Sequence, residues 1–207
     1  MRKIVIVDYK LGNTLSLQRA LSYLNFKSEI TNDKKKILDA DKVILPGVGA
    51  FPVAINCLET LDLVKIIKEF AKKGNDILGI CLGMQLLMNS SNEFGHTKGL
   101  GLIDGTVDII SKNEIKPNIK LPSIGWYELI KKKNDLIFND IPSSHWFYFV
   151  HSYKVISTNE EQILAKYSYS NIEIIAAIRN KNILGVQFHP ENSGKEGLKV
   201  LNNFCNA

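Results

Sequence analysis

The chain has 207 residues, an ordinary globular composition and a formal net charge of +5, and its length predicts one domain over 1–207. Its lysine runs at 34–36 and 131–133 lack interleaved aromatic residues, so we interpret them as solvated faces and expect no nucleic-acid partner. The three widely spaced cysteines form no disulfide or zinc pattern. Without a signal peptide or membrane-spanning run, we expect a cytoplasmic protein that does not bind a membrane.

The first half of the chain alternates apolar strands with helices. Segments 3–8, 42–45 and 77–80 are apolar enough to be strands buried on both faces. Apolar residues at helical spacing lie between them, and the positions that define two helices are Leu17, Ala20, Leu21 and Leu24, then Val64, Ile67 and Ala71. Short connections between such elements predict an α/β fold, a mostly parallel doubly wound sheet with helices on both faces.

The second half of the chain contains strands separated by polar turns, with few helices between them. The predicted strands are 105–110, 146–150, 162–169 and 174–179. We therefore expect antiparallel strands that extend the parallel core. One further strand, 182–188, precedes a terminal helix that carries Leu198, Leu201 and Cys205.

A cysteine between two glycines marks the junction of the strand 77–80 and a helix predicted over 82–88. Gly79 and Gly83 flank Cys81 at minus two and plus two, which is the spacing of a nucleophile elbow. The sharp turn of an elbow leaves room only for residues without side chains at both flanks. A thiol at the start of a helix is favoured as the reactive thiolate. The alternative is a buried structural cysteine in a glycine-rich turn.

A thiol nucleophile requires a base, and the base requires an orienting group. His189 follows a buried strand and has a carboxylate, Glu191, two residues later. Positions i and i+2 of an extended segment face the same side, and Pro190 favours an extended conformation at His189. The sequence therefore predicts a catalytic triad of Cys81, His189 and Glu191.

The other three histidines are weaker candidates for the base. His151 follows an aromatic strand and is the second choice. His145 opens that strand and is equally consistent with packing, while His96 lies in a polar loop typical of the surface.

Acyl chemistry also requires hydrogen-bond donors for a tetrahedral oxyanion. The N–H of Leu82 follows the nucleophile directly and is the first predicted donor. The second is Val48 or Gly49, in the glycine-rich loop 46–51, because loops at the carboxyl ends of parallel strands share one crevice. A phosphate-binding role for this loop is disfavoured because it lacks both the P-loop Lys-Ser/Thr and the G-x-G-x-x-G spacing.

Segments 79–85 and 187–191 resemble the class I, triad-type glutamine amidotransferases. Within that family, the full set of motifs resembles the glutaminase subunits of imidazole glycerol phosphate synthase. The supporting segments span most of the chain and are 8–9, 12–13, 46–51, 125–126 and 148–153. The resemblance implies a glutamine-binding set of Gly49, Gln85, His151, Ser152 and Tyr153. It also implies a surface towards a synthase partner, formed by Tyr9, Asn13, Ser123, Trp126, Tyr148 and Asn192.

The resemblance implies a function without cofactor or metal. Glutamine would be hydrolysed to glutamate, and ammonia would pass to a separate (βα)-barrel synthase/cyclase subunit (HisF type) in a heterodimer. Three alternatives stay open. The chain could feed ammonia to a sugar amidotransferase of surface polysaccharide synthesis, be a catalytically silent binding subunit, or be a cysteine hydrolase that acts alone.

The sequence departs from the family pattern at several positions, of which three bear on the partner surface. The family usually has glycine where Lys10 stands, histidine where Ser123 stands, and lysine where Asn192 stands. These positions lie in segments that the family turns towards its partner. They therefore bear on the choice of partner and not on the triad.

Overall fold

The computed structural model describes residues 2–111, 113, 120–157, 159–170 and 172–207. The elements of the first half are β1 (Ile4–Val7), α1 (Thr14–Tyr23), β2 (Ser28–Thr31), α2 (Lys34–Leu38), β3 (Lys42–Leu45), α3 (Phe51–Thr60), α4 (Leu63–Lys72), β4 (Asp76–Ile80) and α5 (Leu82–Leu86). Those of the second half are β5 (Ser90–Ser91), β6 (Thr97–Lys98), β7 (Thr106–Ile109), β8 (Ser123–Lys131), β9 (Trp146–His151), β10 (Tyr153–Ile156), β11 (Ile163–Tyr169), β12 (Ile172–Asn180), β13 (Ile183–Val186) and α6 (Gly194–Asn206).

Five strands form a parallel half-sheet with helices on both faces. The strand order is β2-β1-β3-β4-β13, and all four pairings are parallel. Alternate residues of β1 belong to two separate cores: Ile4 and Ile6 pack with α1 and α6, whereas Val5 and Val7 pack with α3 and α4. This division follows from the period of two in a strand. The predicted α/β class is confirmed.

The nine-stranded sheet continues through antiparallel strands, as expected. Beyond β13 the order is β12-β11-β8-β9, with every pairing antiparallel. A second, four-stranded sheet in the order β10-β7-β5-β6 was not predicted, and the predicted strand 105–110 contributes β7 to it. The chain crosses from the large sheet to the small one between β9 and β10, at Ser152. This crossing brings 151–153 close to the end of β4.

Several elements escaped prediction, most of them because they are short or lack a clean apolar period. These elements are β2, α2, α3, β5, β6, β8 and β10. Among them, α3 was missed although its buried residues Phe51, Ala54, Ile55 and Leu58 do recur at helical spacing. The lysine run at 34–36 opens α2, where Asp33 caps the helix through a bond from Lys36 N–H and the lysines remain exposed. The helix predicted over 82–88 ends earlier, at Leu86. Within the described part of the chain, no helix combines the length and apolarity needed to cross a bilayer.

Candidate active site

Cys81 occupies a strained turn between β4 and α5. Its φ of 54° and ψ of −111° lie in a region that residues with side chains rarely adopt. A Cβ on Gly79 would stand 2.7 Å from the carbonyl oxygen of Gly83. A Cβ on Gly83 would overlap the carbonyl oxygen of Leu45. The two flanking glycines are therefore steric requirements of the turn that holds the thiol.

His189 and Glu191 form the pair that the sequence predicts. His189 Nδ1 lies 2.8 Å from Glu191 Oε1, and the two side chains are only 6% and 4% exposed. The His189 backbone is extended and its N–H donates to the Tyr148 carbonyl at 2.9 Å. The Ser193 hydroxyl donates to the His189 carbonyl at 2.6 Å. Backbone bonds on both sides therefore fix the imidazole between Glu191 and the elbow.

The charge on His189 depends on its two neighbours. Burial alone lowers the pKa of His189, but Cys81 and the Glu191 carboxylate together raise that pKa well above its ordinary value. Its Nε2 atom is buried and has no hydrogen-bond partner among the described residues. Catalytic hydrogen bonds are often incomplete in unliganded enzymes. Nε2 therefore remains available to exchange a proton with the thiol or with a ligand.

His151, the second candidate base, has both ring nitrogens engaged. Nδ1 lies 2.8 Å from the Tyr153 carbonyl oxygen, and Nε2 lies 2.7 Å from the Tyr167 hydroxyl. A carbonyl can only accept, so Nδ1 carries the proton and Nε2 accepts from Tyr167. Burial lowers the pKa of His151 to about 4, which keeps the ring neutral. His151 is thus a wall residue of the pocket rather than its base.

One pocket brings together every residue predicted for glutamine and the oxyanion. Its volume is about 430 Å³, within the range of small-molecule sites. Its lining residues are Val48, Gly49, Cys81, Leu82, Gln85, Glu93, Phe94, Val150, His151, Ser152 and Tyr153. Four separate chain segments thus surround the thiol: the loop after β3, the elbow, the stretch between β5 and β6, and the crossing from β9 to β10.

The loop after β3 is held at one end and open at the other. Gly47 packs against the elbow, since a Cβ there would stand 2.9 Å from the Gly83 nitrogen and would overlap the Tyr9 hydroxyl. The Tyr9 hydroxyl itself donates to the Pro46 carbonyl at 2.6 Å. Gly49, by contrast, has a φ of 104° and open space where a Cβ would stand. The N–H groups at 48 and 49 therefore have room to reorient beside the thiol.

Glu93 and Phe94 also line the pocket, and no sequence pattern had pointed to either of them. Glu93 Oε2 accepts a bond from Phe51 N–H at 2.8 Å, and burial raises the pKa of this carboxyl. Glu93 lies in a short polar stretch between β5 and β6, where nothing distinguishes it from a surface acid. Only the tertiary position of this stretch turns its carboxylate towards the thiol's pocket.

The residues predicted to face a partner divide into two groups. Trp126 and Tyr148 are cross-strand neighbours on β8 and β9 with ring centroids 6.0 Å apart, and Asn13 and Asn192 are exposed. The other two side chains, Tyr9 and Ser123, are buried within the chain, so they offer no exposed side-chain surface to a partner.

The positions of Tyr9 and Ser123 have physical causes. The Tyr9 ring turns inward beneath Pro46. The Ser123 hydroxyl lies 3.2 Å from the Tyr167 hydroxyl, on the inner face of β8. Positions 123 and 126 differ by an odd number, so they lie on opposite faces of a strand. The rule could not be applied from the sequence, because β8 is among the strands that the sequence analysis did not predict.

Comparison with known proteins gives one family across the chain. The family model described as Glutamine amidotransferase class-I matches residues 5–207. Imidazole glycerol phosphate synthase subunit HisH from Sulfurimonas denitrificans is 43% identical over 201 residues, which cover 97% of this chain and 96% of the relative. The protein of that name from Methanosarcina mazei is 46% identical over 206 residues, covering 99% and 98%. Among solved structures, PurLQS from Thermotoga maritima aligns at 22% identity with a TM-score of 0.74, covering 100% of this chain and 99% of that one, a likeness that bears on fold alone.

Proposed function

This chain belongs to the class I glutamine amidotransferase family, and we propose that it is the glutaminase subunit of an imidazole glycerol phosphate synthase in histidine biosynthesis. It hydrolyses L-glutamine to glutamate and passes the ammonia to a partner subunit. The observation that carries this proposal is the His189–Glu191 pair, joined at 2.8 Å, beside a cysteine held at a nucleophile elbow. The reaction class follows from that arrangement.

The proposed reaction proceeds through a thioester on Cys81. The sulfur attacks the side-chain amide carbon of glutamine while the Leu82 N–H, with Val48 or Gly49, stabilises the oxyanion. His189 donates its proton to the leaving ammonia, and Glu191 stabilises the charged imidazole. Water then loses a proton to His189 and attacks the thioester, which releases glutamate and restores the thiol.

Recognition of the amino-acid end of glutamine is assigned to three lining residues of the pocket, Glu93, Ser152 and Tyr153. The Glu93 carboxylate is the negative group there and suits an α-ammonium. The backbone of Ser152 and Tyr153 supplies further polar groups to the pocket lining. The Gln85 nitrogen is already bonded to the Tyr153 carbonyl at 3.0 Å, so its side-chain oxygen is the atom left to accept from the substrate.

The proposed partner is a (βα)-barrel cyclase subunit, and the outer face of β8 and β9 suits it. The apolar part of this face, here called the β8–β9 stripe, consists of Ile124, Trp126, Trp146, Tyr148 and Val150, and it is bordered by the exposed Glu128 opposite Trp146. Ile124, Trp126 and Trp146 are 55%, 47% and 53% exposed, which is unusual for such large apolar side chains. Val150 also lines the pocket. With a partner covering this stripe, ammonia that leaves the pocket would pass along apolar surface. It would thereby avoid bulk water, which would protonate it.

The alternatives left open by the sequence are less well supported. The relatives that match at 43% and 46% identity carry the imidazole glycerol phosphate synthase name, which favours that acceptor over a surface sugar. A silent binding subunit would not require His189 and Glu191 to be buried and joined beside Cys81. An independently acting hydrolase would not require an exposed apolar stripe next to its pocket.

Glutamate release from glutamine, with and without a barrel cyclase subunit, tests the proposal. Glu191→Gln should lower stimulated turnover by roughly two to four decades, because the imidazole loses its orienting charge. His189→Ala should be at least as severe. Glu173→Gln, which removes an exposed carboxylate far from the pocket, is the matched control and should retain full activity. Turnover of Glu191→Gln near the unsubstituted level would contradict the triad.

A further inference from the structure

A buried amide, unused in the mechanism above, contacts the sulfur of Cys81. Gln187 follows β13, whose last residue, Val186, pairs with Ile80 of the elbow strand, so Gln187 lies beside Cys81. Its side chain is fully buried. Gln187 Nε2 lies 3.6 Å from Cys81 Sγ, a length suited to a sulfur acceptor. A buried polar side chain aimed at a reacting atom calls for a chemical explanation.

The hydrogen-bond chain behind Gln187 fixes which atom faces the sulfur. Gln85 Nε2 donates to the Tyr153 carbonyl at 3.0 Å and to Gln187 Oε1 at 3.1 Å. A carbonyl only accepts, so Gln85 must present its nitrogen there, and Gln187 must present its oxygen to Gln85. The nitrogen of Gln187 is then the atom left for the sulfur. Reversing either amide would oppose two donors or two acceptors.

We propose that Gln187 is a catalytic residue that donates an N–H bond to the Cys81 thiolate and so favours the reactive form of the nucleophile. This rests on the proposed role of Cys81. A neutral thiol is a weak acceptor, whereas a thiolate makes a charge-assisted bond. The donor therefore stabilises the charged form selectively. Because the same chain includes Gln85 and the Tyr153 carbonyl, the donor is anchored to the glutamine-binding wall.

The other titratable groups around the sulfur act differently. His189 stands beside it and exchanges its proton, with Glu191 behind. Tyr9 and Tyr167 interact electrostatically with Cys81, and burial, chiefly, raises the pKa of both hydroxyls, so they remain neutral. His151 is neutral, and Glu93 lines the same pocket. Among these described groups, Gln187 supplies a donor whose strength does not depend on its own protonation state.

The rate at which iodoacetamide alkylates Cys81, measured by mass spectrometry across a range of pH, tests this role without glutamine. The pH midpoint of that rate reports when the reactive thiolate forms. Gln187→Met keeps the volume but removes the donor, and the midpoint of the Cys81 profile should rise by about one pH unit. Gln187→Glu keeps an oxygen for Gln85 but replaces the donor with a carboxylate, and the midpoint should rise further because like charges disfavour the thiolate. Cooperative thermal unfolding of each variant should show that it is folded when its midpoint is measured.

Asn182→Leu is the matched control. It removes two amide bonds, to the carbonyls of Ala71 and Asn75, just before the other end of β13. This variant should lower thermal stability and leave the alkylation profile unchanged. If Gln187 only supports Gln85, Gln187→Glu should alkylate like the unsubstituted protein, and that result would overturn the proposal. An unchanged midpoint in Gln187→Met would overturn it too.

A measurement on the unsubstituted chain keeps the proposal testable if neither variant folds. The side-chain amide proton resonance of Gln187 should move with the same midpoint as Cys81 alkylation. A resonance that does not respond to ionisation of the thiol would refute the donor role. These readouts differ from glutamate release, so loss of glutaminase activity alone would count against the proposed function and not against this inference.

Discussion

Two glycine-containing turns border the sulfur of Cys81, and they differ in how tightly they are packed. In the elbow, the Cβ position of Gly83 is filled by the Leu45 carbonyl, and that of Gly79 by the backbone of Gly83. In the loop after β3, Gly47 is equally enclosed, but Gly49 has open space around it. The elbow thus fixes the proposed nucleophile, Cys81, while the loop leaves a proposed oxyanion donor, the N–H of Val48 or Gly49, room to move.

The difference assigns separate tasks to the two turns. A nucleophile must be held in a single geometry to attack, and a strained turn enclosed on all sides provides it. An adjustable donor allows the oxyanion site to be completed only when a partner is bound. We therefore expect the tightly packed elbow to keep the same geometry with and without a partner. We expect the open part of the loop after β3 to be the segment through which a partner changes activity.

The largest expected effect comes from removing the nucleophile that the elbow holds. Cys81→Ala should lower glutamate release by at least about four decades, as for nucleophile deletions in triad hydrolases. Cys57→Ala and Cys205→Ala are matched controls that should retain activity, since Cys57 lies outside the pocket lining and burial raises the pKa of Cys205 to about 12. A glutamine-like electrophile should label Cys81 alone. Comparable labelling of Cys57 would contradict the assignment.

Alanine at the two kinds of glycine tests the packing difference directly. Gly83→Ala places a methyl group on the Leu45 carbonyl and should cost more than about 4 kcal/mol in unfolding free energy, or prevent folding. Gly49→Ala meets no atom and only adopts an unfavourable φ, at about 1–3 kcal/mol. Denaturant unfolding measures both. Equal losses would show that the loop is as closed as the elbow.

The elbow could be predicted from sequence because its requirements are local. Two glycines at fixed spacing around a cysteine, after a buried strand, define one turn, and Pro190 defines the His189 backbone. The alternating strands and helices similarly define the parallel half-sheet. In these cases each residue's role depends on its neighbours in the chain.

The rest of the site depends on contacts between distant segments. Glu93 reaches the pocket only because β5 pairs with β7 in the small sheet. The bond from Gln187 to Cys81 has its direction set by the Tyr153 carbonyl, on a third segment. Tyr9 follows a buried strand and could turn either way, and packing under Pro46 turns it inward. No local pattern carries this information.

Partner binding should act on the open loop and not on the elbow. We expect weak glutaminase activity in the isolated chain and a rise of at least about a hundredfold with a barrel cyclase subunit, a shift of roughly 3 kcal/mol. Alkylation of Cys81 by iodoacetamide should change far less on binding, because the elbow is already set. Full activity of the isolated chain would contradict an adjustable donor.

The smallest expected effect concerns Tyr9, which links the closed end of the loop to the fold beneath it. Tyr9→Phe keeps the ring but removes the hydroxyl that bonds the Pro46 carbonyl at 2.6 Å. Loss of that bond should loosen the loop and let the donor reach its productive orientation more often. Basal activity of the isolated chain should therefore rise by roughly tenfold or less, about 1.4 kcal/mol, with no change in the stimulated rate.

Tyr23→Phe is the control for the Tyr9 substitution, because the Tyr23 side chain is 77% exposed and removal of its hydroxyl should alter neither rate. Stability is the second readout. The unpaired carbonyl in Tyr9→Phe should cost about 1–3 kcal/mol of unfolding free energy. The two rates decide the interpretation. A parallel fall of basal and stimulated activity would mean that Tyr9 holds the productive orientation, and the loop would then be closed along its whole length like the elbow.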